Sequence, residues 1–305
     1  ISKPMRALFS TPVWIFFSRT IDRTGKGLRS APRDALLSNA TTKENKAKVF
    51  GFHRSMDTFG AVLGPLIALW FLACYPGQYQ TLFIIAFIPG LAAVLFTFFV
   101  KEKAGIPQQK KIHFFSFLSH VKNADGSYKK LLWGLLIFAL VNSSDVLLLL
   151  KMKSTGVSDV NIITIYIFYN LIYALSAFPA GIIADKWGIK NTFLFGLILF
   201  IAVYIGFAFV NLEIGYWILF FIYGIYAACT EGIAKAWITN IVPGTSAGTA
   251  IGAYTGLASM AAFGASALAG VLWAVFGPEV AFGFTACVVT VVVLYLMRVP
   301  AATKA

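Results

Sequence analysis

Charge is what this chain has least of. Asp, Glu, Lys and Arg make up 12% of its 305 residues, about half the share of an ordinary soluble domain. The three cysteines, Cys74, Cys229 and Cys287, are scattered through apolar stretches without a CxxC pair. That spacing excludes a disulfide framework and a cysteine-held metal, and no other metal-ligand set is visible. There is no nucleophile beside a base and no loop of paired acids, so nothing points to an enzyme or a bound cofactor. Strict alternation of apolar and polar residues is missing too, which argues against a membrane β-barrel. The longest polar stretch, 101–130, is too short to be a soluble receptor domain. A non-transporting membrane receptor or scaffold is therefore only a distant alternative.

What the chain has instead is apolar mass. It is 59% hydrophobic with 29 Phe, and its mean hydropathy is +0.79. The pattern predicts an all-α, polytopic membrane protein with spans at 11–38, 47–74, 79–100, 131–150, 158–184, 190–211, 214–241, 247–276 and 279–298. The net charge of +13 would suit a nucleic-acid binder, but basic cytoplasmic loops produce the same excess, and no nucleic-acid partner is expected. Seven lysines fall in 101–130, three in "SNATTKENKAK" and two in "DKWGIK", whereas "YPGQYQ", "NLEIG" and "FGPE" have none. By the positive-inside rule the first group and the C-terminus are cytoplasmic. "KMKSTGVSD" dissents.

Two stretches resemble each other. "AKVFGFHRSMDTFGA" from Ala47 aligns with "GTAIGAYTGLASMAA" from Gly248 at an offset of 201 residues, which pairs Gly51 with Gly252, His53 with Tyr254 and Ala35 with Ala236. A period near 200 residues holding six spans is what two duplicated six-helix halves would produce.

At "GIIADKWGIKNTF" the chain carries a recognisable signature. Gly181, Asp185 and Gly188 match a G-x-x-x-D-x-x-G loop followed by bases, of which Lys190 is kept beside Asn191. This resembles the gating loop of the major facilitator superfamily, in its second copy. Glycines permit a tight turn and close packing, and the acid and base can pair with each other or with neighbouring helix ends. Gly60, Gly64 and Pro65 resemble the G-x-x-x-G-P motif on the fifth helix of the superfamily's exporters, without its trailing glycines. Packing of small residues around a proline kink is the plainer reading. The run "RTIDRTGKGLRSAPRDAL" is similar to a bacterial branch that carries it on the fourth helix.

The resemblance implies the superfamily fold with nine of its twelve helices, four to twelve. Residues 1–100 would finish the N-terminal bundle, 101–130 form a basic linker, and 131–305 form the C-terminal six-helix bundle. It implies that helices one to three, about 90 to 100 residues, precede this chain.

Ionisable groups inside a membrane are costly and mark candidate sites. Arg19, Asp22 and Arg23 share one helix face with Lys26 and Arg33 and lie roughly 12 to 18 Å from the outer end of their helix. They would line a cavity that selects an anionic group, or latch two helices. The run is not a phosphate loop, because Gly27 follows Lys26, nor a dinucleotide fingerprint, because Ser30 stands at the third glycine. Asp57, one turn after His53, is a candidate for proton coupling, with pairing to Arg54 as the competing role. Asn142, Ser143, Ser144 and Asp145 fall at mid-span, so Asn142 and Ser144 are candidate cavity residues and Asp145 a second candidate proton carrier. Glu231 and Lys235 are spaced as an i, i+4 pair within one helix, with Glu231 a third candidate acid. Tyr166, Tyr169, Asn170 and Tyr173 line one side of a helix and could meet a solute, or simply pack. The resulting expectation is a monomeric secondary transporter of the bacterial inner membrane. It would export a small, anionic organic solute by proton antiport through alternating access. Proton-coupled import of an organic anion or siderophore-like metabolite is the alternative.

Overall fold

A computed structural model describes residues 14, 21, 25, 30, 32–97, 99, 121 and 124–300. Among these there is no strand. The helices are α1 (32–39), α2 (Lys46–Cys74), α3 (Tyr79–Ile85), α4 (Phe87–Thr97), α5 (Gly126–Ala139), α6 (Val146–Ser154), α7 (Asp159–Trp187), α8 (Ile189–Phe209), α9 (Glu213–Ile241), α10 (Ala247–Phe276) and α11 (Pro278–Leu296). Seven stretches of the described chain are long and apolar enough to cross a membrane. Most of the expected first span, 11–38, lies outside the described residues.

Two expected spans are interrupted, each for a local reason. The stretch 79–100 breaks at Ala86 between α3 and α4. Pro89 cannot donate to the carbonyl of Ile85, and its ring crowds that carbonyl, so the first helix ends there. The stretch 131–150 is not one helix: α5 stops at Ala139, residues 142–144 are irregular, and α6 starts at Val146. Asn142, Ser143, Ser144 and Asp145 carry side chains that compete with the backbone for hydrogen bonds, and four in succession undo the helix.

Helix ends are set by local chemistry. Asp125 caps α5 by accepting from the Ser127 N–H at 2.9 Å, and that bond holds its carboxyl below the ordinary carboxylate range. Ser158 caps α7 through the Asn161 N–H. Gly188, with φ of +106°, turns α7 into α8.

The chain divides into two compact units, and the boundary falls between Val62 and Leu63, inside α2. The first half of α2 thus belongs with α1 and α5–α11. In this unit α9 is the central helix, packed along α7 and α8. Its small residues Gly224, Ala227, Ala228, Gly232, Ala234 and Ala236 are all buried, so neighbouring backbones can come close. The start of α2 lies against α7 more tightly still. A Cβ at Gly51 would sit 2.5 Å from the Ala177 carbonyl oxygen, and one at Gly181 would sit 2.5 Å from that of Ala47.

Backbone cannot yield as a side-chain tip can, so Gly51→Ala and Gly181→Ala should each destabilise the protein by about 1–3 kcal/mol. This is expected although alanine is the better helix former by about 1 kcal/mol. Gly256→Ala, with nothing within 4 Å of its Cβ, should be neutral or stabilising. Thermal unfolding in detergent measures all three; equal midpoints for the three variants would contradict the crossing.

Candidate functional site

Six charged side chains from three helices meet where α1 and the start of α2 lie against α9. Asp34 on α1 is buried, 1% exposed. Its carboxylate accepts from Lys235 Nζ of α9 at 2.6 Å and from Arg33 Nε and a second guanidinium nitrogen at 3.2 Å. One turn deeper, the Arg54 guanidinium of α2 is shared between Glu231 of α9, Tyr173 of α7 and Asp57 of its own helix, the last at 3.1 Å. The expected pair within α9 therefore does not form as such: Glu231 goes to Arg54 and Lys235 to Asp34. The physical reason is dielectric. An i, i+4 pair on an exposed helix contributes only about 0.3–0.5 kcal/mol, whereas partners brought together in a desolvated helix contact attract more strongly.

Asp34 and Lys235 are 201 residues apart, the offset of the internal repeat. The alignment contained that correspondence, and it was the available signal for Asp34, which the search for intramembrane acids passed over.

The glycine–acid–glycine–base loop binds helix ends. Asp185 accepts from the backbone N–H groups of Ala47 at 3.0 Å and Lys48 at 2.8 Å. Those are otherwise unpaired donors of the first turn of α2, where the helix dipole favours an anion. Lys190 donates to the carbonyls of Met297 and Val299, both at 2.7 Å, beyond the C-terminus of α11. Lys46 reaches the Thr239 carbonyl at 2.7 Å. Acid and base of the loop thus serve two different helix ends rather than each other.

A cavity of about 340 Å³ opens between α5, α8, α9 and α10, within the range of small-molecule sites. Asn142, Glu231 and Lys235 line it, as do Tyr226, Tyr254, Thr255 and Ser259, which sequence reasoning did not single out. The last three sit on α10, where only the repeat alignment, through Gly252 and Tyr254, drew notice. Arg54 and Asp34 compensate the two charges in the wall, so the remaining recognition groups are hydroxyls, one amide and aromatic faces.

Asp145, at the α5–α6 break, accepts from the Tyr223 hydroxyl at 2.8 Å. The Ser144 N–H donates to Ser266 Oγ of α10 at 3.2 Å. Tyr169 and Tyr173 are buried in an aromatic row with Tyr223, Tyr166 packs on Tyr169, and Asn170 bonds the Tyr166 carbonyl within α7. None of these four lines the cavity. Asp57 is half-exposed and held by Arg54. Gly60, Gly64 and Pro65 lie within an unbroken α2; among the described residues nothing approaches within 4 Å of a Cβ placed on either glycine. Arg19, Asp22 and Arg23 lie outside the described residues.

Removing one member of a buried pair leaves the other charge uncompensated, so Lys235→Ala should cost about 3–5 kcal/mol. The exchange of both residues, Asp34→Lys with Lys235→Asp, should recover part of that loss. A double-mutant cycle on unfolding free energy is the measurement; strictly additive effects would contradict a direct pair.

Comparison with known proteins agrees with this geometry. A family model of the Major Facilitator Superfamily matches residues 5–152 and 131–305. An uncharacterised MFS-type transporter of Methanocaldococcus jannaschii is 32% identical over 274 residues, which cover 88% of this chain and 67% of that protein. An uncharacterised protein of Mycobacterium tuberculosis is 28% identical over 97 residues, 32% of this chain and 24% of its own length. Among solved structures, the human organic anion transporter MFSD10 superposes with a TM-score of 0.78 at 15% identity, over 97% of this chain and 74% of that one. The proton:xylose symporter XylE gives 0.74 at 16% identity, over 98% and 77%. These likenesses are of fold. The chain belongs to the major facilitator superfamily, whose members are multi-pass helical membrane transporters.

Proposed function

We propose that the protein is a proton-coupled secondary transporter that moves a small organic solute by alternating access. The observation that carries this reading is the set of ties across one end of the helices: Asp34 to Lys235, Arg54 to Glu231, and Asp185 to the first turn of α2. Each joins α1 or α2, from the first half of the sequence, to α7 or α9 from the second. Each consists of groups that can separate and be hydrated without unfolding a helix. In a protein built of two repeats, such contacts act as a gate. The basic loops support a cytoplasmic position for this end and for the C-terminus, in a bacterial inner membrane. Two bundles, 1–100 and 131–305, would then rock about the solute, with the 101–130 linker between them.

The cavity supports a solute bearing hydroxyl or carbonyl groups, met by Asn142, Tyr254, Thr255 and Ser259. Arg19 and Arg23 are proposed to select an anionic group on the solute, as one structural neighbour is an organic anion transporter. Gly60, Gly64 and Pro65 favour export by antiport. Import by symport is the second reading, favoured by the proton symporter among the fold neighbours. We further propose that the protein works as a monomer.

The test uses the intact protein in vesicles, with Cys74, Cys229 and Cys287 replaced and Ser259→Cys introduced in the cavity. A membrane-impermeant maleimide should label this position from either side, one side at a time. Asp185→Asn and Lys235→Ala should raise labelling from the cytoplasmic side, by about tenfold for each 1.4 kcal/mol by which the closed state is weakened. Counterflow with a panel of organic anions and neutral polyols then identifies the solute. Labelling from one side alone in every variant, with no solute moved, would refute the reading.

A further inference from the structure

Among the described acids that bond across the helix bundle, Asp145 differs in its partner. Asp34 is held by Lys235 and Arg33, Glu231 by Arg54, and Asp185 by two backbone N–H groups. The Asp145 carboxylate instead receives the neutral hydroxyl of Tyr223 at 2.8 Å, and among the described residues no basic nitrogen lies within ion-pair distance of it. The titratable groups around it are Tyr166 and Tyr169 from α7, Tyr204 from α8, and Tyr223, Tyr226 and Glu231 from α9. Apart from Glu231, which Arg54 neutralises, all are uncharged. Asp145 can thus gain or lose a proton without breaking an ion pair.

Its place in the fold gives that proton a mechanical consequence. Irregular backbone within a membrane is tolerated only where it is buried in protein or lines a cavity, and the 140–145 break does both. Asn142 from the break lines the cavity, Ser144 is bonded to α10, and Tyr226, stacked 5.1 Å from Tyr223, lines the same cavity. When Asp145 is ionised, Tyr223 donates to it. A proton arriving from the cavity turns the carboxyl into a donor toward the Tyr223 oxygen. The bond between the break and α9 is reversed, and no other covalent or ionic bond is lost. A segment with few helical hydrogen bonds can follow such a change at small cost.

We propose that Asp145, positioned by Tyr223, is the proton-binding site of this protein, and that the α5–α6 break converts its protonation into a change at the cavity. This rests on the transporter reading above and names the residue that would couple it to a proton gradient.

The experiment is infrared spectroscopy of the intact protein in phosphatidylcholine vesicles, titrated from about pH 4 to 9, where carboxyl groups lose their protons. A protonated-carboxyl band should titrate in the wild type, vanish in Asp145→Asn, and persist in Asp57→Asn and Glu231→Gln. Tyr223→Phe, which keeps the ring and removes the hydroxyl, should retain the band and shift its midpoint. An unchanged titration in Asp145→Asn, or an unmoved midpoint in Tyr223→Phe, would overturn the assignment. So would displacement of the band by sodium at fixed pH, which would make the site one for a metal cation. Labelling of Ser259→Cys separates this claim from the broader one. Access that alternates but ignores pH in the wild type overturns the proton site and leaves transport standing. The band is read without any solute, so its assignment is decided even if the labelling goes against transport.

Discussion

A carboxylate that is almost wholly buried cannot remain charged without a partner, and Asp34 finds one in Lys235. The arrangement of this end of the molecule follows from that constraint. To bring the two together, α1 must lie against the C-terminal part of α9. The chain then turns into α2, whose first turn receives Asp185 and whose Gly51 admits the α7 backbone. Arg54, one turn below, is then within reach of Glu231, Tyr173 and Asp57 together. Buried ion pairs add little net stability over apolar packing but are strongly destabilising when half removed. They therefore specify which helices meet while leaving the contact able to open, as a gate requires.

The same low dielectric explains the second polar centre. Six residues of helix are given up between α5 and α6, in a region where free backbone groups are expensive. The structure recovers part of that loss through Ser266, which accepts from the Ser144 N–H, and the Ser144 hydroxyl, which accepts from the Val146 N–H. What remains is a flexible, polar wall on one side of the cavity, and ionised groups with fixed partners on the other.

How much of this was legible in the sequence depends on the kind of signal. Long apolar runs located the helices from Lys46 onward well, because the bilayer length imposes itself on composition. The 181–190 loop was readable because its residues serve helix ends next to it in the fold, and the sequence reading had named helix ends as one of two targets. The break at Asn142–Asp145 was visible as an oddity, but periodicity placed it inside a helix; four competing side chains outweighed the apolar flanks. Glu231 and Lys235 were recognised as charges that need partners, and the local spacing suggested each other. Their real partners lie 177 and 201 residues away, and only the tertiary fold brings those close. The cavity hydroxyls on α10 left no trace in the sequence, since Thr255 and Ser259 look like any polar residues in a small-residue helix.

The central claim is that the ion pairs between α1–α2 and α9 form a latch that opens as a unit. Its most direct test is a spin–spin distance distribution between labels at Thr42 and Thr245, both exposed on the loops that follow α1 and α9, in the intact protein in lipid nanodiscs. The account predicts a short and a long population, with the long one enriched by Lys235→Ala and by Arg54→Ala to similar extents. A single distance, unmoved by either substitution, would contradict it.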